Sequence, residues 1–206
     1  MKRSRRTPAR FPVGLTGTPG TGKSSVARHL PPSWAPIEVG ALALELGTGR
    51  RRGRSGVVVD LPATSRRWRS SGSEHHLLVG HLAHLLPVRT VVLLRCHPIE
   101  LARRLARARR GTGYDRAENV ASEAVDVILT ECHALRRRVL EIDTTGRTPR
   151  QVARELVRAV RSRGRRPRSP PVDWLSDPAV TDYLERTRAS SRSRRGRGRA
   201  GARPAR

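Results

Sequence analysis

Lysine is nearly absent from this chain of 206 residues: of 43 basic side chains only Lys2 and Lys23 are lysines. Aromatic residues make up 3% and apolar residues 36%, so a core must rest on Leu, Val, Ile and Ala. The two cysteines, Cys96 and Cys132, are too few and too isolated for a disulfide framework or a zinc cluster. Both lie in apolar-periodic stretches and read as buried thiols. No run of 18 apolar residues occurs, which excludes a membrane-spanning helix. The N-terminal MKRSRRTPAR is basic but lacks the apolar region of a signal peptide. A soluble cytoplasmic protein is expected. Acids are scarce as well: 17 carboxylates against 43 bases leave a formal charge of +26. Such a cation attracts RNA, DNA or a ribonucleoprotein. A general bias toward arginine accounts for the same composition, and both readings stay open.

What is present alternates between strand and helix patterns. FPVGLT (11–16), PIEV (36–39), HLLVG (76–80), TVVLLR (90–95) and VLEID (139–143) read as strands, HLLVG and TVVLLR as runs buried on both faces. SSVARHL, stopped by Pro31 and Pro32, and ALALEL (41–46) read as short helices. PIELARRLARARR (98–110) is amphipathic with Pro98 in its first turn, and a longer helix is expected from about Ala117 to Leu135. Thr148-Pro149-Arg150-Gln151 predicts a capping box opening a helix over 149–161. Residues 47–56, GTGRRRGRSG, read as a basic glycine-rich loop, and GVVVDL (56–61) is ambiguous between strand and the approach to a helix. The alternation predicts an α/β fold, a three-layer arrangement with a parallel sheet and helices on both faces.

Composition divides the chain into a basic extension (1–10), a domain (11–161) and an Arg-rich tail (162–206). Within the tail, PPVDWLSDPAVTDYLER (170–186) carries Trp174, Leu175, Val180, Tyr183 and Leu184 and predicts a short docking helix, about 177–187. Residues 188–206 are low-complexity and read as disordered.

GTPGTGKS, residues 17–24, matches G-x-x-x-x-G-K-[ST] between a predicted strand and a predicted helix. Its glycines let backbone N–H groups turn inward around phosphate oxygens. Lys23 is placed to reach the β and γ phosphates and the Ser24 hydroxyl to ligate Mg²⁺ accompanying ATP. The one internal lysine of an arginine-rich chain thus falls where a compact ammonium is required and a planar guanidinium does not fit. No N-K-x-D guanine-reading motif is present, which leaves small-molecule or nucleotide kinases and ATPases. Such a kinase needs a second basic segment over the phosphates. ARARRGTGYDR (106–116) supplies Arg109, Arg110 and Arg116 to neutralise charge on the transferred group. A solvated basic helix end is the alternative for any one of them.

GTPGTGKSS, GHLAHLL, LRCHPIEL, RRGTGY, ENVASEAVDVIL and EIDTTGRTP occur in one order. Together they resemble the adenylate kinase-like enzymes of archaea and eukaryotic nuclei that also assist small ribosomal subunit maturation. The resemblance covers about 11–161. It implies a five-stranded parallel sheet with the phosphate-loop strand central. It further implies a broad-specificity nucleoside monophosphate kinase (ATP + AMP ⇌ 2 ADP) with ATPase activity. The partners implied are ATP, nucleoside monophosphates, and the small ribosomal subunit with its rRNA or a ribosomal protein. ATP contacts would be Gly20, Gly22, Lys23, Ser24, Ser25 and Arg110. The monophosphate would sit near 40–63, under a lid of about 109–118, and His81 would belong to the ATPase site.

Two departures stand out. The lid run RRGTGYDRAENV is about one residue short of the family's spacing. The acid that the family carries two residues before the first histidine is here Val79. Asp60, which ends GVVVD, is either a replacement metal-orienting acid or a structural or substrate-side residue. His81 and His84 lack the third ligand of a metal pair, and His84 reads as structural. Two further readings remain: an ATP-dependent RNA- or ribosome-binding assembly factor with weak or lost phosphotransfer, and a kinase for another small metabolite.

Overall fold

The computed structural model describes residues 12–53, 56–70, 77–109, 112–162 and 172–199, with backbone alone at 69–70 and 189–199. The phosphate-loop strand β1 (Val13–Thr16) lies at the centre of a five-stranded sheet. On one side it pairs with β5 (Leu77–Val79), and β5 with β2 (Pro36–Glu38). On the other side it pairs with β6 (Thr90–Arg95), and β6 with β7 (Arg138–Asp143). Every pairing is parallel, as the apolar runs predict.

Helices cover both faces. Leu77, Val79, Val92 and Leu94 point to a core closed by α1 (Lys23–Ala27) and α7 (Pro149–Arg161). Their neighbours Leu78 and Val91 point to a second core, with Val39 and Leu42 of α2 (Val39–Glu45), Trp68 of α3 (Leu61–Ser70) and Cys132 of α6 (Val127–Ala134). This alternation is the period of two of a strand, apolar in both registers. A third cluster sits beyond the carboxyl edge, where Cys96, Leu101, Leu105 and Val120 join α4 (Pro98–Arg107) to α5 (Gly113–Ala124).

The structure departs from the sequence reading in three places. Residues 49–52 are not loop but β3 (Gly49–Arg52), antiparallel to β4 (Gly56–Val59). Val57, Val58 and Val59 supply the β-branched strand, and their ladder holds the exposed arginines opposite. The helix expected over 117–135 is two helices, because Asp126 takes a left-handed backbone (φ 57°) and gives its carboxylate to Arg95. The tail carries α8 (Pro178–Arg199), which buries Val180 and packs Tyr183 and Leu184 against the cluster of α4 and α5. It continues well past 187. Arginine and alanine are good helix formers, so a docked first turn propagates through sequence that cannot itself form a core.

Both α5 and α7 open with capping boxes, Thr112 with Asp115 and Thr148 with Gln151. Among the described residues no helix is long and apolar enough to cross a membrane.

Candidate functional site

The carboxyl edge of the sheet is where an open α/β fold binds ligands, and the phosphate loop leaves β1 there. Gly17, Gly20 and Gly22 hold φ of 143°, 98° and 99°, values that an L side chain rarely takes. At Gly20 the space is also closed: a Cβ would lie 2.8 Å from Leu101 and 2.9 Å from Leu105 of α4. At Gly22 the reverse holds, with nothing within 4 Å of an added Cβ. The loop is thus packed from behind and hollow in front. The Lys23 ammonium spans that hollow, donating to the Gly17 carbonyl (2.7 Å) and the Thr18 carbonyl (3.0 Å). A compact cation across a hollow rimmed by glycine backbone fits the β and γ phosphates of a nucleotide.

A cleft of about 550 Å³ opens from this loop. Gly20, Gly22, Lys23, Ser24 and Ser25 line one wall, and Val79, Gly80 and His81 its floor. The far end is formed by Val39 and Gly40 at the start of α2 with Val57 and Val59 of β4. The hairpin missing from the sequence reading is therefore part of the site. Ser25 accepts from Arg28 (3.2 Å).

His81 is exposed at the cleft. Its ring still has protein on one side: that burial first, then the Lys23 charge and His84, hold its pKa below the ordinary histidine value. It is neutral at pH 7 and able to accept a proton. His84 is buried, with Nδ1 3.1 Å from the Thr16 hydroxyl and Nε2 2.8 Å from Glu131. Both its nitrogens are engaged, so it ties β1 to α6 as a structural residue.

Arg104 was absent from the sequence reading. It lines the cleft from α4, anchored to Glu100 (3.2 Å) and to the Thr144 carbonyl (2.8 Å). The Glu100–Arg104 spacing of four was the available signal. Arg109 is exposed in a left-handed turn (φ 47°) after α4, and Arg116 is half-buried on α5. Arg110 lies outside the described residues. Asp60 follows the end of β4, outside the five-stranded sheet, and its carboxylate accepts from the Ala63 amide (2.9 Å) at the start of α3, the structural role among the two expected for it. Its exposed side chain is a helix cap.

Behind the loop lies a buried charge network that the sequence did not announce. Glu123 of α5 accepts from the Thr18 hydroxyl (2.5 Å), Arg95 Nε (2.9 Å) and the Cys96 amide (3.1 Å). Arg95 also donates to Glu141 (2.6 Å) and Asp126. Burial opposes the guanidinium charge, but these three carboxylates outweigh it and raise its pKa. Trp174 completes the group, its indole N–H 3.4 Å from Glu123 and its ring 5.1 Å from that of His97, which contacts Asp177 at 3.0 Å.

A phosphate loop on the central strand of a parallel sheet, facing a two-ended cleft, defines an enzyme of the P-loop kinase class. Residues 13–126 match the family described as an AAA domain. A protein named "Putative adenylate kinase" from Thermococcus onnurineus (strain NA1) is 37% identical over 179 residues, 84% of this chain and 96% of its own. One of the same name from Pyrococcus furiosus is 40% identical over 166 residues, 79% of this chain and 90% of its own. Among solved structures, a gluconokinase from Sinorhizobium meliloti 1021 is 17% identical at a TM-score of 0.47, covering 77% of this chain and 94% of that one. The chain belongs to the adenylate kinase-like P-loop kinases.

Proposed function

We propose that the protein is a broad-specificity nucleoside monophosphate kinase, with ATP + AMP ⇌ 2 ADP as its reference reaction, and that it also hydrolyses ATP. One observation carries this reading. The cleft that begins at Lys23 and Ser24 continues without interruption to Val57 and Val59, which leaves room for an acceptor facing the phosphate loop. The relatives' names, adenylate kinase in each case, support the kinase part of this reading.

The loop residues Gly20, Gly22, Lys23, Ser24 and Ser25 hold the donor triphosphate, with the Ser24 hydroxyl toward Mg²⁺. A metal held there would supply charge neutralisation on the nucleotide phosphates. Arg104 brings positive charge to the cleft, and the family resemblance assigns Arg110 of the lid (109–118) as a further ATP contact. Residues 40–63 hold the monophosphate. Its phosphate oxygen is already anionic and needs no base, whereas an attacking water does. Neutral His81 therefore serves hydrolysis, accepting the proton of the water.

The same reading places the protein in the cytoplasm, assisting late maturation of small-subunit rRNA. Its charge of +26 suits that partner. A second reading, an assembly factor with weak phosphotransfer, is favoured by Val79, a buried apolar residue where the family carries an acid.

The test is a panel of monophosphate and non-nucleotide acceptors with ATP, run with and without small-subunit RNA. ADP formation dependent on a monophosphate, and lost in Lys23→Ala, is the expected result. Turnover that needs a non-nucleotide acceptor overturns the kinase assignment. Turnover seen only with RNA favours the assembly factor.

A further inference from the structure

The missing acid at Val79 has a neighbour. Glu38, the last residue of β2, is the register partner of Val79 in the parallel pairing of β2 with β5. Register partners in a parallel pair point to the same face of the sheet. Val79 points to the core closed by α1, the helix that carries Lys23 and Ser24. Glu38 therefore points to the α1 side as well, one strand spacing away, about 4.8 Å. The two methylenes of a glutamate let its carboxylate reach back across part of that displacement.

Two further observations agree. Glu38 occupies the N-cap position of α2, yet its side chain makes no capping hydrogen bond, so the carboxylate is not consumed by the helix. It is exposed, and it is the single carboxylate among the described residues that line the cleft with Lys23, Ser24 and His81. A hydrated Mg²⁺ held mainly by nucleotide oxygens takes only one or two carboxylates from the protein.

We propose that Glu38 takes over the function of the strand-end acid, as an outer-shell acceptor for the hydrated divalent cation that accompanies the nucleotide at Ser24. It is a positioning residue. The inference rests on the nucleotide site proposed above and assigns that site's cation a specific carboxylate on β2.

Binding of Mn²⁺, followed by electron paramagnetic resonance with a non-hydrolysable ATP analogue, tests this without turnover. Wild type, Glu38→Gln, Val79→Asp and the double variant are compared, and affinity for the analogue alone is measured in chelator. Glu38→Gln is expected to weaken Mn²⁺ about tenfold. Metal-free analogue affinity should be kept or improved, since a negative charge leaves the phosphate pocket. Val79→Asp should restore Mn²⁺ binding in the Glu38→Gln background. Mn²⁺ affinity within twofold of wild type in Glu38→Gln overturns the assignment, as does an equal loss of metal-free binding. A wild type that binds no analogue at all would instead overturn the nucleotide site, and this inference with it.

Discussion

Glu123 on α5 and Thr18 in the phosphate loop, 105 residues apart in the chain, meet in a 2.5 Å hydrogen bond in the protein interior. Thr18 is 3% exposed and Glu123 also 3%, so neither group has water to fall back on. A carboxylate this deep is tolerated because Arg95 neutralises it and the Cys96 amide and Trp174 indole share its oxygens. The loop that grips the nucleotide is therefore fixed by a charge pair belonging to β6 and α5, and through Trp174 by the C-terminal segment.

Glu123→Ala should remove about 3–5 kcal/mol of stability, because Arg95 loses its most buried carboxylate and the Thr18 hydroxyl and Cys96 amide lose their acceptor, though Glu141 and Asp126 still hold the guanidinium. Thr18→Val keeps the pair and should cost no more than about 1–3 kcal/mol. Denaturant unfolding of both variants checks the order, and analogue binding should weaken in both.

Removing everything after Ser162 looks harmless from sequence alone, where the tail reads as an appendage. The structure predicts otherwise. Val180 is fully buried, and Tyr183 and Leu184 pack against the cluster of Leu101 and Leu105, the same leucines that back Gly20. Truncation should lower the unfolding free energy by roughly 2–5 kcal/mol, given about 1.5–3 kcal/mol for each fully buried apolar side chain. It should also weaken nucleotide binding. Trp174→Phe, which keeps the ring and loses the N–H, should cost less. Calorimetric melting of the two variants is the measurement.

His81 and His84 both have folded-state pKa values below the ordinary histidine value, burial being the first cause in each. The unfolded chain therefore takes up protons first as pH falls. Their contribution is constant above pH about 6.5 and stability is lost as pH drops below it. Unfolding midpoints at pH 7.5 and pH 5 should differ in wild type, and His81→Ala should narrow the gap.

Asp60→Ala should cost about 1 kcal/mol through loss of the α3 cap and leave the Mg²⁺ dependence of turnover unchanged. A large change in Mg²⁺ dependence would return Asp60 to the metal.

The strands β5 and β6 were legible as continuous apolar runs, whereas the central place of the phosphate-loop strand followed from the family resemblance rather than from any periodicity. Lys23, Ser24 and the glycines were legible because their chemistry is local. The β3–β4 hairpin was not, since Arg50, Arg51 and Arg52 carry no alternation and the strand exists through its pairing with Val57–Val59. The break at Asp126 needs Arg95 beside it, and the partnership of Glu38 with Val79 needs the register of two parallel strands. Non-local contacts of this kind leave no periodicity to read.

Cys96 and Cys132 lie fully buried in different clusters, the first beyond the carboxyl edge under the phosphate loop, the second between sheet and α6. Burial pushes both thiols up to about 11, so neither supplies a reactive thiolate while its surroundings stay closed. Alkylation of either thiol therefore becomes a clock for the protein's breathing. The cysteine labelled first names the region that opens first, the carboxyl edge for Cys96 or the α6 face of the sheet for Cys132.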